Sequence, residues 1–184
     1  MADFLIRRGY WLRGLCAVVL ALTLQHPAGA QEPQSRLGFG TDLGFWSGTV
    51  DGTRFTLGFN LDYYLDRAFS VGPMVLLAPT GDLTNIAIAG VARYHFRFGA
   101  VNLVPFSGIG LLHSDLDKGS GPGRIDRNDT SYYIPIGLTA EYQLAPKLAL
   151  ANTLLFNLHN IDLSPSVERD DTSVTLLFGF RFGP

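Results

Sequence analysis

The chain has 184 residues, of which 47% are hydrophobic, 12% aromatic and 16% charged, with 21 glycines and 10 prolines; this balance excludes a disordered polymer and a highly charged nucleic-acid binder. The formal net charge is −2, and the single cysteine, Cys16, excludes both a disulfide framework and a cysteine-ligated metal.

Met1 to Ala30 reads as a cleaved secretory signal: Arg7, Arg8 and Arg13 give a positive start, Leu15 to Leu24 an apolar core, and Ala28-Gly29-Ala30 an A-x-A-like cleavage site. The apolar run is about half the ~20 residues a membrane-spanning helix needs, and Gln25, His26 and Pro27 end it. Arg13-Gly14-Leu15 before Cys16 lacks the apolar and small residues expected before a lipidated cysteine. Export would remove three of the 14 basic and one of the 16 acidic residues, leaving a domain from Gln31 onward with a charge of about −4.

That domain shows period-2 alternation throughout and no sustained 3.6 period, so it is expected to be all strand. Strand 1 is expected over about Arg36 to Trp46, with Leu37, Phe39, Leu43 and Phe45 opposite Gly38, Gly40, Asp42 and Gly44. Strand 2, about Thr53 to Leu65, sets Phe55, Leu57, Phe59, Leu61 and Tyr63 against Arg54, Thr56, Gly58, Asn60, Asp62 and Tyr64. Strand 3 covers about Phe69 to Ala78, and strand 4, about Thr84 to Phe98, sets Ile86, Ile88, Tyr94, Phe96 and Phe98 against Ala87, Ala89, Arg93, His95 and Arg97. Strand 5, about Leu103 to Ser114, has an open register because Pro105 and Phe106 interrupt the pattern. Strand 6 runs about Thr130 to Leu144, strand 7 about Leu148 to Asn160 and strand 8 about Thr172 to Phe182, the last alternating Phe178, Phe180 and Phe182 with Gly179 and Arg181.

Tight junctions near Asp66-Arg67, Gly99-Ala100-Val101 and Ala145-Pro146-Lys147 alternate with longer ones at Ser47 to Gly52, Pro79 to Leu83, Asp115 to Asp129 and Asp162 to Asp170. An even number of strands joined this way describes an antiparallel up-and-down meander that closes into a barrel and leaves no edge. Three features turn its apolar face outward. The other face is rich in Gly and Ala, which suits a narrow eight-strand interior and not a solvated surface. Tyr63, Tyr94, Phe96 and Tyr142 recur beside the short turns as a membrane-interface girdle. About ten residues at ~3.3 Å rise and ~40° tilt project to roughly 25 Å, the height of an outer-membrane apolar band.

On these features, with the Pro105-Phe106-Ser107-Gly108-Ile109-Gly110 stretch and the aromatic last strand, Gln31 to Pro184 resembles the small eight-stranded outer-membrane β-barrels of the OmpA and OmpX type. The resemblance implies a transmembrane β-barrel in the bacterial outer membrane, in contact with outer-membrane lipids and lipopolysaccharide. It also implies recognition by the barrel-assembly machinery through a terminal aromatic, although Gly183-Pro184 follow Phe182 here. The expected state is a monomer without cofactor or metal.

Inward charges gather near the short turns: Asp62, Arg93, His95, Arg97, Glu141 and Arg181. They are expected to form one lumen network in which Asp62 and Glu141 accept from Arg93 or Arg181, either as a structural plug or as a gate. The expected role is structural, adhesive or surface-recognising, with a largely closed lumen and no catalytic residues. One alternative is a lipid A-modifying enzyme resembling PagL or PagP, for which His113-Ser114 with Asp115, or His159, are the conceivable residues; His159-Asn160 does not match the His-x-Ser-Asn run of PagL-like enzymes. Another is a secreted lipocalin-like binder, suggested by Gly44-Phe45-Trp46. Asp115 to Gly121 has a faint calcium-loop look, and with Asp162, Glu168, Asp170 and Asp171 it makes an acidic rim that divalent cations could bridge to lipopolysaccharide.

Overall fold

Alternation this regular has one backbone solution, and in the computed structural model it becomes β1 (Leu37–Thr49), β2 (Gly52–Tyr64), β3 (Phe69–Ala78), β4 (Leu83–Tyr94), β5 (Phe96–Phe98), β6 (Val101–Lys118), β7 (Ile125–Ala145), β8 (Leu148–Ile161) and β9 (Asp170–Phe182). The structure describes residues 36–49, 52–79, 83–118, 125–161 and 170–183. The expected signal segment lies outside them. β4 and β5 are one barrel strand: Arg93 pairs Phe106 and Phe96 pairs Leu103 in the same register, and only Tyr94 and His95 between them lack a partner on β6, Tyr94 still pairing with Phe69 on β3. Eight antiparallel strands therefore follow one another in chain order, and the pairing of β1 with β9 closes the sheet into a barrel.

Register fixes the barrel's shape. Cross-strand partners lead from Leu37 to Tyr63, Val71, Ala92, Ser107, Ile136, Phe156 and Val174, and return to β1 at Ser47. One circuit thus climbs ten residues, from 37 to 47. With ~3.3 Å rise and ~4.8 Å between strands, that stagger over eight strands sets a tilt of about 41° and a radius of about 8 Å. The interior is wide enough for side chains and little else.

Burial alternates with the strand period. On β8, Ala149, Ala151, Thr153, Leu155, Asn157 and His159 are buried while the residues between them face out. Among the described residues 32 large hydrophobic side chains are exposed, from Ile109 at 71% to Leu103 at 36%. At on the order of 80 Å² each, leaving them in water would forgo on the order of 60 kcal/mol, far more than the 5–15 kcal/mol that holds a domain together. That outer wall needs an apolar surround, which is the wrong arrangement for a water-soluble lipocalin-like barrel. It also settles strand 5: Val104, Phe106, Leu112 and Ser114 point in, and Leu103, Ile109 and Leu111 point out.

The sequence placed a loop over Asp115 to Asp129, and the structure corrects this. β6 and β7 stay paired from Ser114–Asp129 to Lys118–Ile125. At the derived tilt, the 18 and 21 residues of these strands span about 45 and about 52 Å along the axis, against about 32 Å for a 13-residue strand such as β2. The hairpin leaves the apolar layer. Beyond it neither strand face is selected for lipid contact, so the period-2 signal fades while the ladder continues. At the other end the turns are tight: Asp66 Oδ1 accepts from the backbone N–H groups of Ala68 (2.7 Å) and Phe69 (2.8 Å), and Gly99 supplies a φ of 62°.

Candidate functional site

The lumen holds the polar chemistry of the chain, in layers that follow from which inward positions are polar. Nearest the short turns, Arg93 Nη1 donates to Asp62 Oδ1 (2.6 Å) and Arg93 Nη2 to Asn60 Oδ1 (2.6 Å). Asn60 Nδ2 donates to Asp42 Oδ2 (2.9 Å), whose Oδ1 accepts from Arg181 Nη1 (2.7 Å). In the other direction Ser70 Oγ donates to Asp62 Oδ1 (3.3 Å) and lies 2.9 Å from His95 Nε2. Asn102 Nδ2 is 3.2 Å from His95 Nδ1 and donates to Glu141 Oε2 (2.7 Å). Glu141 Oε1 is 4.0 Å from Arg181 Nε, and Arg181 Nη2 reaches Thr153 Oγ1 (3.4 Å), which is bonded to Thr139 Oγ1 (2.8 Å). These contacts form a ring that touches all eight barrel strands.

Five of the six expected network residues thus meet: Asp62, Arg93, His95, Glu141 and Arg181. Two details differ from the sequence reading. Arg181 takes Asp42, and not Glu141, as its close carboxylate, because Asp42 and Arg181 sit on adjoining strands two positions apart in register while β8 separates Glu141 from Arg181. Arg97 is exposed and stands outside the ring, one inward step closer to the mouth than His95. Asp42, Asn60, Ser70, Asn102 and Thr153 were missed as members. Their signal was available: each has inward parity within two or three rungs of an inward charge.

Above the ring the lumen is apolar. Arg93 lays its guanidinium 5.5 Å from the centre of the Phe106 ring, which fills the space that Gly137 leaves by lacking a Cβ. Met74, Leu76, Leu112, Leu155 and Leu177 continue the plug, all buried. A second polar group caps it toward the long loops. There Trp46 Nε1 donates to Ser173 Oγ (2.6 Å), Asn157 Nδ2 donates to Ser173 Oγ (3.2 Å) and Thr175 Oγ1 (2.9 Å), and Tyr133 Oη donates to Asn157 Oδ1 (2.6 Å).

The residues singled out for possible acyl chemistry do not assemble as imagined. His113 and Asp115 face outward and Ser114 inward, on opposite sides of β6; His113 Nδ1 meets Thr130 Oγ1 at 2.8 Å. His159 Nε2 instead lies 3.1 Å from Ser173 Oγ, but both are buried and that hydroxyl already accepts from Trp46 and Asn157. The calcium-loop reading finds Asp115 to Lys118 within strand β6, and residues 119–121 outside the described set. Of the acidic rim, Asp115 and Asp171 are exposed, while Asp162 and Glu168 lie outside the described residues.

The girdle residues sit on the outer wall beside the short turns: Tyr63 is paired with Leu37, Tyr94 with Phe69, Phe96 with Leu103 and Tyr142 with Val101, and all four are exposed. Tyr132 lies outward on the same strand as Tyr142, ten residues before it and seven residues in from the start of β7 at Ile125. At the derived tilt the two rings are about 25 Å apart, which matches an outer-membrane apolar band.

A family model described as an outer membrane protein beta-barrel domain matches residues 14–182. No curated protein matches the chain. Among solved structures, Neisserial surface protein A is similar with a TM-score of 0.64 at 17% identity, over 80% of this chain and 97% of that one. Ail, the attachment invasion locus protein of Yersinia pestis, is similar with a TM-score of 0.54 at 13% identity, over 83% of this chain and 100% of that one. Ail in complex with the heparin analogue sucrose octasulfate gives a TM-score of 0.54 at 14% identity. At these identities the likeness is one of fold.

Proposed function

Because the chain belongs to the outer membrane protein β-barrel family, whose members reside in the bacterial outer membrane, we propose that it acts there as a monomeric, largely closed barrel with a structural, adhesive or surface-recognising role. The observation that carries this reading is the lumen itself. A ring of ion pairs and hydrogen bonds, an apolar plug and a polar cap leave no continuous aqueous path among the described residues, so surface and not transport is what the fold offers. The projecting β6–β7 hairpin is the element best placed to meet a partner. From residue 115 to 129 its sequence carries Asp115, Asp117, Asp126 and Asp129 against Lys118, Arg124 and Arg127, a net charge of −1. That gives no basic patch for a polysulfated ligand such as the heparin analogue sucrose octasulfate of the Ail complex, and is compatible with a neutral or cationic surface, or with divalent cations bridging to lipopolysaccharide. The outward apolar wall supports contact with the outer-membrane lipids, and Phe178, Phe180 and Phe182 on the last strand support the recognition by the barrel-assembly machinery that the resemblance implies.

The test uses one preparation for two assays, planar-bilayer conductance and lipid A deacylation. Absence of sustained current and of released acyl chain is the expected result. A steady open-channel current would contradict the closed lumen, and ester cleavage would replace the proposal with the enzymatic alternative.

A further inference from the structure

Between the ring and the short turns lies a polar vestibule of about 220 Å³ whose walls include Arg97, Lys147, Arg181, Asn102, Glu141 and Tyr64. Three of these residues form a row on the inner wall, because Arg97 pairs with Asn102 across β5 and β6 and Asn102 with Glu141 across β6 and β7. The row runs from cation through amide to carboxylate in two steps of about 4.8 Å. Arg97 at the outer end of the row and Lys147 on the turn between β7 and β8 both line the vestibule and are exposed, and neither head group has a hydrogen bond or ion pair among the described residues. At its inner end Asn102 Oδ1 is buried without a partner, and Glu141 Oε1 has only the 4.0 Å approach of Arg181. An orphaned buried acceptor beside a poorly paired carboxylate asks for a cationic donor. Arg97 and Lys147, two exposed cations lining the same vestibule, are donors for an anion.

One small chemical group supplies both, with a phosphate at one end and an ammonium two carbons away. We propose that the vestibule is a binding site for ethanolamine phosphate, with phosphate oxygens on Arg97 and Lys147 and the ammonium on Asn102 Oδ1 and Glu141. The Tyr63, Tyr94 and Tyr142 girdle puts this mouth at headgroup level, and short turns lie on the periplasmic, phospholipid side of outer-membrane barrels, so the source assigned to the ligand is a headgroup of that leaflet reaching over the turns; this clause rests on the membrane reading above. Inorganic phosphate would satisfy only the rim, and ethanolamine only the floor.

The full barrel in an uncharged maltoside detergent is titrated with O-phosphoethanolamine, inorganic phosphate or ethanolamine, reading the Asn102 side-chain amide and the Gly99 backbone amide by NMR. Saturable shifts are expected with O-phosphoethanolamine, at an affinity at least about tenfold above that for either half, the increment of one charge-assisted contact. Arg97→Gln and Lys147→Gln should each weaken binding, and Glu141→Gln should abolish the preference over inorganic phosphate. An equal response to inorganic phosphate, or no response to any of the three, overturns the site. The source is read in nanodiscs: spectra that differ between phosphatidylethanolamine and phosphatidylcholine discs support the lipid headgroup, and identical spectra overturn the lipid clause. Retention of the heat-dependent gel shift in every variant keeps failure of the site separate from failure of the barrel.

Discussion

At the residue scale, hydrogen-bond direction in the ring determines the state of its histidine. Asn102 Nδ2 has two protons, and its two acceptors are Glu141 Oε2 and His95 Nδ1. Nδ1 therefore presents a lone pair, and the ring proton sits on Nε2, aimed at Ser70 Oγ, whose own proton goes to Asp62. Long-range ¹H–¹⁵N spectra of the barrel at neutral pH should show His95 as the Nε2–H tautomer; an Nδ1–H tautomer would refute the network as drawn. The same ring ranks its carboxylates. Arg93 and Asp62 are each about 6% exposed in their side chains, so Asp62→Ala leaves a buried guanidinium short of its charge partner and should cost about 3–5 kcal/mol. Glu141, with one hydrogen bond and a 4.0 Å ion pair, should cost about 1.5–3 kcal/mol as Glu141→Ala. Urea unfolding in detergent measures both, and the order Asp62 above Glu141 is the prediction.

At the scale of elements, the strands obey two constraints that the sequence states with different clarity. Lipid contact was legible, because it demands an apolar residue at every second position: β3 was read at its observed bounds, Phe69 to Ala78, and the outward and inward sets of β2 and β9 followed directly. The β6–β7 extension was not, because its pairing satisfies backbone groups and carries no side-chain period once the strands leave the membrane. Cutting the hairpin back by joining Ser114 to Asp129, a register pair, through a two-residue turn should therefore leave folding and the heat-dependent gel shift intact. Loss of the folded band would show that the projecting hairpin is part of the barrel's stability. The seam between first and last strands is the opposite case. A Cβ on Gly44 would strike the carbonyl of Leu176, and one on Gly179 that of Thr41. Gly44→Val should prevent β1 from closing on β9, read as an unfolded band without any heat-dependent shift, whereas Gly90→Ala, with open space about its Cα, should fold normally.

At the scale of the whole molecule, a stagger of ten residues, a radius of about 8 Å and an apolar band of about 25 Å agree with one another. The barrel could be read from alternation, and its inside-out polarity from the Gly- and Ala-rich second face, the aromatic girdle and the strand length. The lumen site was half legible: the charges stood out as inward polar residues, but their partners did not, since pairing depends on register and register is not written in parity. Asp42 had been placed on the inner face, yet only the pairing of β1 with β9 brings it to Arg181 and leaves Glu141 under-satisfied. The vestibule follows from that same offset.

The claim beneath all of this is that the apolar wall meets lipid and the small and ionic residues meet one another inside. Single cysteines at Phe59, Ile136 and Asp115 in the barrel without its first 30 residues, reconstituted in vesicles, test it with a membrane-impermeant maleimide and a bilayer-soluble quencher. The account predicts that labels at positions 59 and 136 form only with a permeant reagent and are quenched from the lipid phase, while position 115 reacts from water. Ready labelling of 59 and 136 by the impermeant reagent, without lipid-phase quenching, would contradict it.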